Sequence, residues 1–202
     1  PAFTDATCNG ASNGQVSVVA AGGTPGYTYV WDDAGAANTA IVNGLSAGTF
    51  NVTVTDNSAS GCTETATATI DEPTPIVLAI SMTPVVCNGD ATGTATVTAS
   101  GGTPGYTYLW DNLQTGATAS NLPFGNIGVT VTDAAAGGIC FESTSILITQ
   151  PTPVTVTASG IDPLCAGDNS GTVTATAGGG TPVITYSWDG GLGAGQTHNG
   201  IV

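Results

Sequence analysis

Alternation of polar and apolar residues with a period of two dominates this chain, and no stretch of it carries a helical period. In Thr94-Ala95-Thr96-Val97-Thr98-Ala99 one face is all threonine and the other is Ala, Val, Ala; Thr172 to Ala177 repeats the pattern and Gln15 to Ala20 nearly does. Such segments predict strands buried on one side. A Gly-Gly-Thr-Pro-Gly turn follows, with proline pre-set for the second turn position and glycine free to take a positive φ. Next comes Tyr27-Thr28-Tyr29-Val30-Trp31, whose aromatics fall on one face. Their position on a central strand favours core packing over a sugar-stacking role. A short strand near Ala40 to Val42 leads through Asn43-Gly44-Leu45 and Gly48 into Phe50 to Asp56, and a Ser/Gly-rich hairpin connects this to Thr63 to Ile70.

The same order recurs along the chain. Gly22 to Tyr29 returns unchanged at Gly101 to Tyr108 and as Gly-Gly-Thr-Pro-Val-Ile-Thr-Tyr at Gly179 to Tyr186, a repeat of about 78 residues. Trp31, Trp110 and Trp188, each followed by Asp, keep that spacing, as do Cys8, Cys87 and Cys165, Val52 to Asp56 against Val129 to Asp133, and Cys62 against Cys140. Asp71-Glu72-Pro73-Thr74-Pro75 and Thr149-Gln150-Pro151-Thr152-Pro153 punctuate the repeats as short, stiff, extended linkers.

Six or seven short strands per repeat, with frequent turns, predict an all-β protein: tandem immunoglobulin-like β-sandwich domains in a linear array. In the middle repeat strand A is expected at Ile76 to Met82, B at Thr94 to Ala99, C at Tyr106 to Trp110, E near Thr118 to Asn121, F at Gly128 to Asp133 and G at Phe141 to Thr149. The expected domains are residues 1–73, with most of strand A missing; 74–151, complete; and 152–202, without F and G. A chain opening at Pro1 reads as a processed product or a window from a longer chain, with completion by a neighbour's strand as the sharper alternative.

Cys-Asn-Gly, Gly-Gly-Thr-Pro-Gly-Tyr-Thr-Tyr-x-Trp, Val-Thr-Val-Thr-Asp, Gly-Cys and Glu-Pro-Thr-Pro together resemble the SprB-type repeats of giant surface adhesins in gliding and other Bacteroidota. Trp31-Asp32 is more weakly similar to the Trp-Asp of PKD domains, which are also surface β-sandwiches. The resemblance implies export, extracellular display in tandem arrays, and a role in adhesion or as a stalk. It supplies no catalytic residues.

Composition then narrows the chemistry. The 202 residues include 14 carboxylates, one histidine and no lysine or arginine, for a formal net charge of −14. Nucleic acid and anionic membrane surfaces are excluded as partners, because no cation is available to meet phosphate. At 41% hydrophobic the chain should fold, and its longest apolar runs fall far short of the roughly 20 residues that span a bilayer. Stability must come from apolar packing, hydrogen bonds and disulfides.

Cys8, Cys62, Cys87, Cys140 and Cys165 are the disulfide candidates. Pairing within a repeat, Cys8 with Cys62 and Cys87 with Cys140, is favoured, since closing loops of about 54 residues is credited with roughly 4 kcal/mol. Geometry objects, because the A–B turn and the F–G hairpin lie at opposite ends of a sandwich. A junction bond such as Cys8 with Cys140 stays open as the second pairing, and Cys62 with Cys87 as the third.

No Cys-x-x-Cys pair exists and His198 stands alone, which argues against zinc. Asp32, Asp111 and Asp189 follow the tryptophans, Asp56 and Asp133 end strand F, and Asp90 and Asp168 follow first cysteines. The plain reading is turn-forming, solubilising residues; the functional one is weak calcium binding at loop ends, the one cofactor considered. A lone histidine and scattered carboxylates argue against catalysis. The expected function is a stiff stalk or extracellular filament whose partners are neighbouring repeats of a long chain, with self-assembly into fibres. The alternative is an adhesin module that binds a surface glycan or another cell.

Overall fold

The structure, a computed structural model, describes residues 1–32, 35, 37–135, 140–181, 183–189 and 192–201. Pro182 of the third Gly-Gly-Thr-Pro segment lies outside them. The strands of the first repeat are β1 (Ala2–Thr4), β2 (Gly14–Ser17), β3 (Thr28–Trp31), β4 (Ile41–Leu45), β5 (Gly48–Thr55) and β6 (Thr63–Ile70). The second repeat holds β7 (Val77–Thr83), β8 (Gly93–Ser100), β9 (Thr107–Trp110), β10 (Thr118–Leu122), β11 (Gly125–Thr132) and β12 (Phe141–Ile148). The third holds β13 (Thr155–Ile161), β14 (Gly171–Gly178), β15 (Ser187–Trp188), β16 (Gly193–Ala194) and β17 (Thr197–Ile201).

By contacts the chain falls into two compact units, Pro1–Ala79 with Thr98–Gly116 and Val129–Thr144, and Ile80–Val97 with Ala117–Gly128 and the stretch from Ser145 on. The first contains the whole first repeat, two three-stranded antiparallel sheets of order β1-β2-β4 and β3-β5-β6. These are the A-B-E and C-F-G sheets of an immunoglobulin-like sandwich. Its core joins Val16 from β2, Trp31 from β3, Val42 and Leu45 from β4, Val52 from β5, and Ala68 and Ile70 from β6. Both sheets therefore face one thin apolar layer.

The second repeat has the same two strand orders, β10-β8-β7 and β12-β11-β9. Its expected strands A to G sit within a few residues of their observed positions, because a period-two run bounded by Gly, Pro and Asn leaves little freedom in where a strand stops. Ala95 and Val97 on β8 are 0% and 1% exposed. The threonines that alternate with them turn outward, and two of these hydroxyls pair across strands, Thr94 with Thr83 at 2.7 Å and Thr96 with Thr118 at 3.0 Å. The Thr-x-Thr rows are thus a surface hydroxyl ladder. The third repeat contributes the sheet β13-β14-β17 and the pair β15-β16.

Trp31 and Trp110 are buried and Trp188 is half-buried. Each indole N–H donates to a loop carbonyl, of Thr39, Gly116 and Gly195 respectively, at 2.7 to 2.9 Å. The tryptophan fills the layer while its one polar atom fastens the following loop.

Two equivalent glycines separate backbone strain from packing. Gly22 and Gly101 both hold φ near +80° (84° and 77°), but a Cβ on Gly101 would lie 2.0 Å from the Pro75 carbonyl oxygen, whereas one on Gly22 would meet nothing within 4 Å. Gly101 is required by the linker laid against it. Substituting alanine at either site should incur about 1–2 kcal/mol of left-handed backbone strain, and Gly101→Ala a further 1–3 kcal/mol for displacing that linker. Thermal unfolding checks this: Gly101→Ala should melt several degrees below Gly22→Ala, and equal melting temperatures would show that the linker contact contributes nothing.

Candidate functional site

The candidate site is the junction where the first linker passes between the Cys8 turn and the start of β12, entirely inside the first unit. Cys8-Asn9-Gly10 forms a tight turn, with the Ala11 N–H donating to the Cys8 carbonyl at 3.1 Å and Gly10 at φ 71°. Asn9 Nδ2 donates to Glu72 Oε1 at 2.9 Å and to the Pro73 carbonyl at 3.2 Å, and the Gly10 N–H donates to Glu72 Oε2 at 2.6 Å. The Ala6 N–H reaches the Asp71 carbonyl at 3.0 Å, and the Asp71 N–H donates to Asp5 Oδ1 at 2.9 Å. Prolines remove two donors from the linker, so it is held mainly through carbonyls and one carboxylate.

On its other flank, the Gly102 N–H donates to the Thr74 carbonyl at 2.8 Å. Asp133 organises this side. It is 5% exposed, accepts from the Thr103 N–H at 2.8 Å and the Ala135 N–H at 3.0 Å, and its own N–H donates to the Cys140 carbonyl at 3.0 Å. The Gly-Gly-Thr-Pro turn and the segment carrying Cys140 are thereby tied to one residue, the first through its carboxylate and the second through its backbone N–H.

A disulfide closes the arrangement. Cys8 and Cys140 are bonded with Cα atoms 5.5 Å apart and a sequence separation of 132, inside the range a disulfide requires. Cys62, Cys87 and Cys165 are free and exposed. The favoured pairing of Cys8 with Cys62 and Cys87 with Cys140 is therefore corrected. Loop entropy ignores strand length. Cys8 is held beside Asp71 and Glu72, past the end of β6, while Cys62 precedes its first residue, and the eight residues between span about 26 Å. The second repeat repeats the obstacle, since Asn88 Nδ2 donates to the Pro151 carbonyl and the Gly89 N–H to Gln150 Oε1, both at 3.0 Å, past the end of β12.

The linker grip recurs at the second linker, with Gln150 standing where Glu72 stands and the Gly180 N–H donating to the Thr152 carbonyl at 2.8 Å. Sequence reasoning read Cys-Asn-Gly and Glu-Pro-Thr-Pro as separate marks. Their constant spacing was the available signal that turn and linker touch.

The aspartates are dispersed among loops. Asp32 accepts from the backbone N–H and Nδ2 of Asn51, both at 2.7 Å, and these bonds, the backbone one foremost, hold its carboxyl below the usual range. Asp56, the counterpart of Asp133, accepts from the Ser58 hydroxyl at 2.5 Å and from the N–H groups of Thr24 and Cys62, both at 3.0 Å. The Ser58 hydroxyl, then the Thr24 N–H, lower its pKa from 3.8 to about 2. Asp90 and Asp168 donate their N–H groups to the carbonyls of Cys87 and Cys165, closing those turns, and Asp189 is exposed beside Trp188. Among the described residues no three His, Cys, Asp or Glu side chains gather as a metal site, so the calcium candidates, Asp111 included, are not brought together. Among those residues no helix is long and apolar enough to cross a membrane.

Three comparisons bear on this arrangement. The SprB repeat family model matches residues 1–36, 79–115 and 161–193, just over half of the chain. Each matched stretch holds one first cysteine and one tryptophan, and Cys62 and Cys140 lie outside all three. No curated protein matches. Among solved structures, an amphioxus IgVJ-C2 molecule is similar at 15% identity over 67% of this chain and 95% of that one, with a TM-score of 0.30, too slight a likeness to argue from.

Asp56 offers a test of the turn-fastening role. A carboxyl with a folded pKa below its unfolded one stabilises the fold fully above about pH 4, and that contribution disappears as pH falls toward about 2. Asp56→Asn should melt below the parent at pH 7, and the difference should close between about pH 4 and pH 2. A difference independent of pH in melting curves would contradict it.

Proposed function

Because the chain belongs to the SprB repeat family, we propose that it is a structural, adhesive repeat region of a secreted bacterial cell-surface protein, in which sandwich repeats covering about 1–73, 74–151 and 152–202 form a stiff stalk or extracellular filament. The observation that carries this reading is the bond between Cys8 of one repeat and Cys140 of the next. A disulfide that merely stabilised a fold could sit within one repeat. One that bridges two resists bending at the linker between them. Pro73, Pro75 and the hydrogen bonds to Glu72 add local stiffness to the same segment.

The repeats are non-catalytic in this reading. His198, the one histidine, sits edge-on to Trp188 with ring centroids 5.7 Å apart, an arrangement of packing rather than of proton transfer to a nucleophile. A net charge of −14 keeps such an array soluble and self-repelling along its length.

Electron micrographs of the native protein provide the test. The expected image is straight fibres one repeat wide that become kinked after reduction with dithiothreitol. Compact globular particles, or fibres equally straight before and after reduction, would overturn the stalk reading.

A further inference from the structure

The three free cysteines are copies of the two that are bonded. Cys62 precedes β6 as Cys140 precedes β12, and Cys87 and Cys165 open the same turn as Cys8. The surroundings of Cys62 are copied as well. The Asp56 N–H donates to the Cys62 carbonyl at 3.0 Å, as the Asp133 N–H donates to the Cys140 carbonyl at 3.0 Å. Asp56 and Asp133 both also accept from the threonine N–H of a Gly-Gly-Thr-Pro turn, at 3.0 and 2.8 Å.

Beside Cys62 lies an open groove of about 440 Å³ lined by Val19, Gly22, Gly23, Tyr27 and Asp56. The corresponding groove beside Cys140 is only about 230 Å³, because Thr74, Pro75 and Ile76 of the linker and Cys8 and Asn9 of the turn form its walls. Gly22 has nothing within 4 Å of a notional Cβ, whereas its counterpart Gly101 is pressed by Pro75. Gly23, Asp56, Cys62 and Glu64 in the first groove match Gly102, Asp133, Cys140 and Glu142 in the second, and the two differ in what is seated on them. What seats on the second is therefore what the first is shaped to receive.

We infer that Cys62 and its groove form a docking site for another SprB repeat, which lays its x-Pro-x-Pro linker along Gly22 and presents the cysteine of its Cys-x-Gly turn to Cys62. Cys87 and Cys165 are the presenting halves of the same joint. The rule is that the first cysteine of each repeat bonds the second cysteine of the following one. It rests on the repeat-array reading for the identity of the partner, and it lies beyond the family match, which leaves out the second cysteines.

The bond forms by thiol–disulfide exchange with a dithiol–disulfide oxidant of the export pathway. One cysteine thiolate attacks the oxidant's disulfide to give a mixed disulfide, and the partner thiolate displaces the oxidant's remaining sulfur. Two thiols lose two protons and two electrons, and the oxidant leaves as a dithiol.

Disulfide mapping of the native protein, alkylated before digestion with a protease that needs neither lysine nor arginine, tests this. The expected product is the Cys62 peptide joined to a peptide carrying a Cys-x-Gly turn other than those of Cys8 and Cys87. Cys62 recovered as a free alkylated thiol, or joined to Cys8 or Cys87, would overturn the docking rule. Straight fibres in the same preparation would leave the stalk reading standing, so the two failures are distinguishable.

Discussion

A short linker between two small sandwiches would ordinarily be a hinge, and the Cys8–Cys140 bond is a second covalent connection across it. Its ends are 132 residues apart in sequence, and it ties the opening turn of one repeat to the start of the last strand of the next. The chain-entropy model credits closing so long a loop with about 5 kcal/mol. That is comparable to what a domain of this size gains from its whole core after entropy is subtracted. The bond needs the Cys8 turn and the Cys140 segment in register, and the hydrogen bonds around Glu72 and Asp133 supply that register.

Those hydrogen bonds take the form they do because the chain has no lysine or arginine. A carboxylate that must be held in place can only be met by N–H and O–H donors. Glu72 meets Asn9 and Gly10, Asp32 meets Asn51, Asp56 meets Ser58, Thr24 and Cys62, and Asp133 meets Thr103 and Ala135. Hydrogen bonds to a charged acceptor are stronger than neutral ones. They fall off steeply with distance and angle, so they fix loop shape where a flexible lysine would not. A cation-free sequence thus acquires well-defined turns.

The strands were legible because alternation and turn residues are local signals. β8 shows this, with Ala95 and Val97 turned inward and threonines outward as the period of two requires. Trp31 and Trp110 were legible too, since an aromatic at that place in the strand has one apolar layer to enter, whereas Trp188 is half-buried. Connectivity was not. Loop entropy ranks Cys8 with Cys62 highly, yet it contains no term for the eight-residue strand β6 that separates them. The aspartates were ambiguous for a related reason: their spacing shows which loop each occupies, and the donors that meet it come from residues up to 32 positions away.

Pulling single molecules of the chain from its two ends reads the central bond directly. With Cys8 and Cys140 joined, the residues between them cannot be extended. Reduction should therefore release hidden length corresponding to 132 residues, roughly 45 nm at about 3.5 Å per residue. Equal total extension before and after reduction would contradict the account.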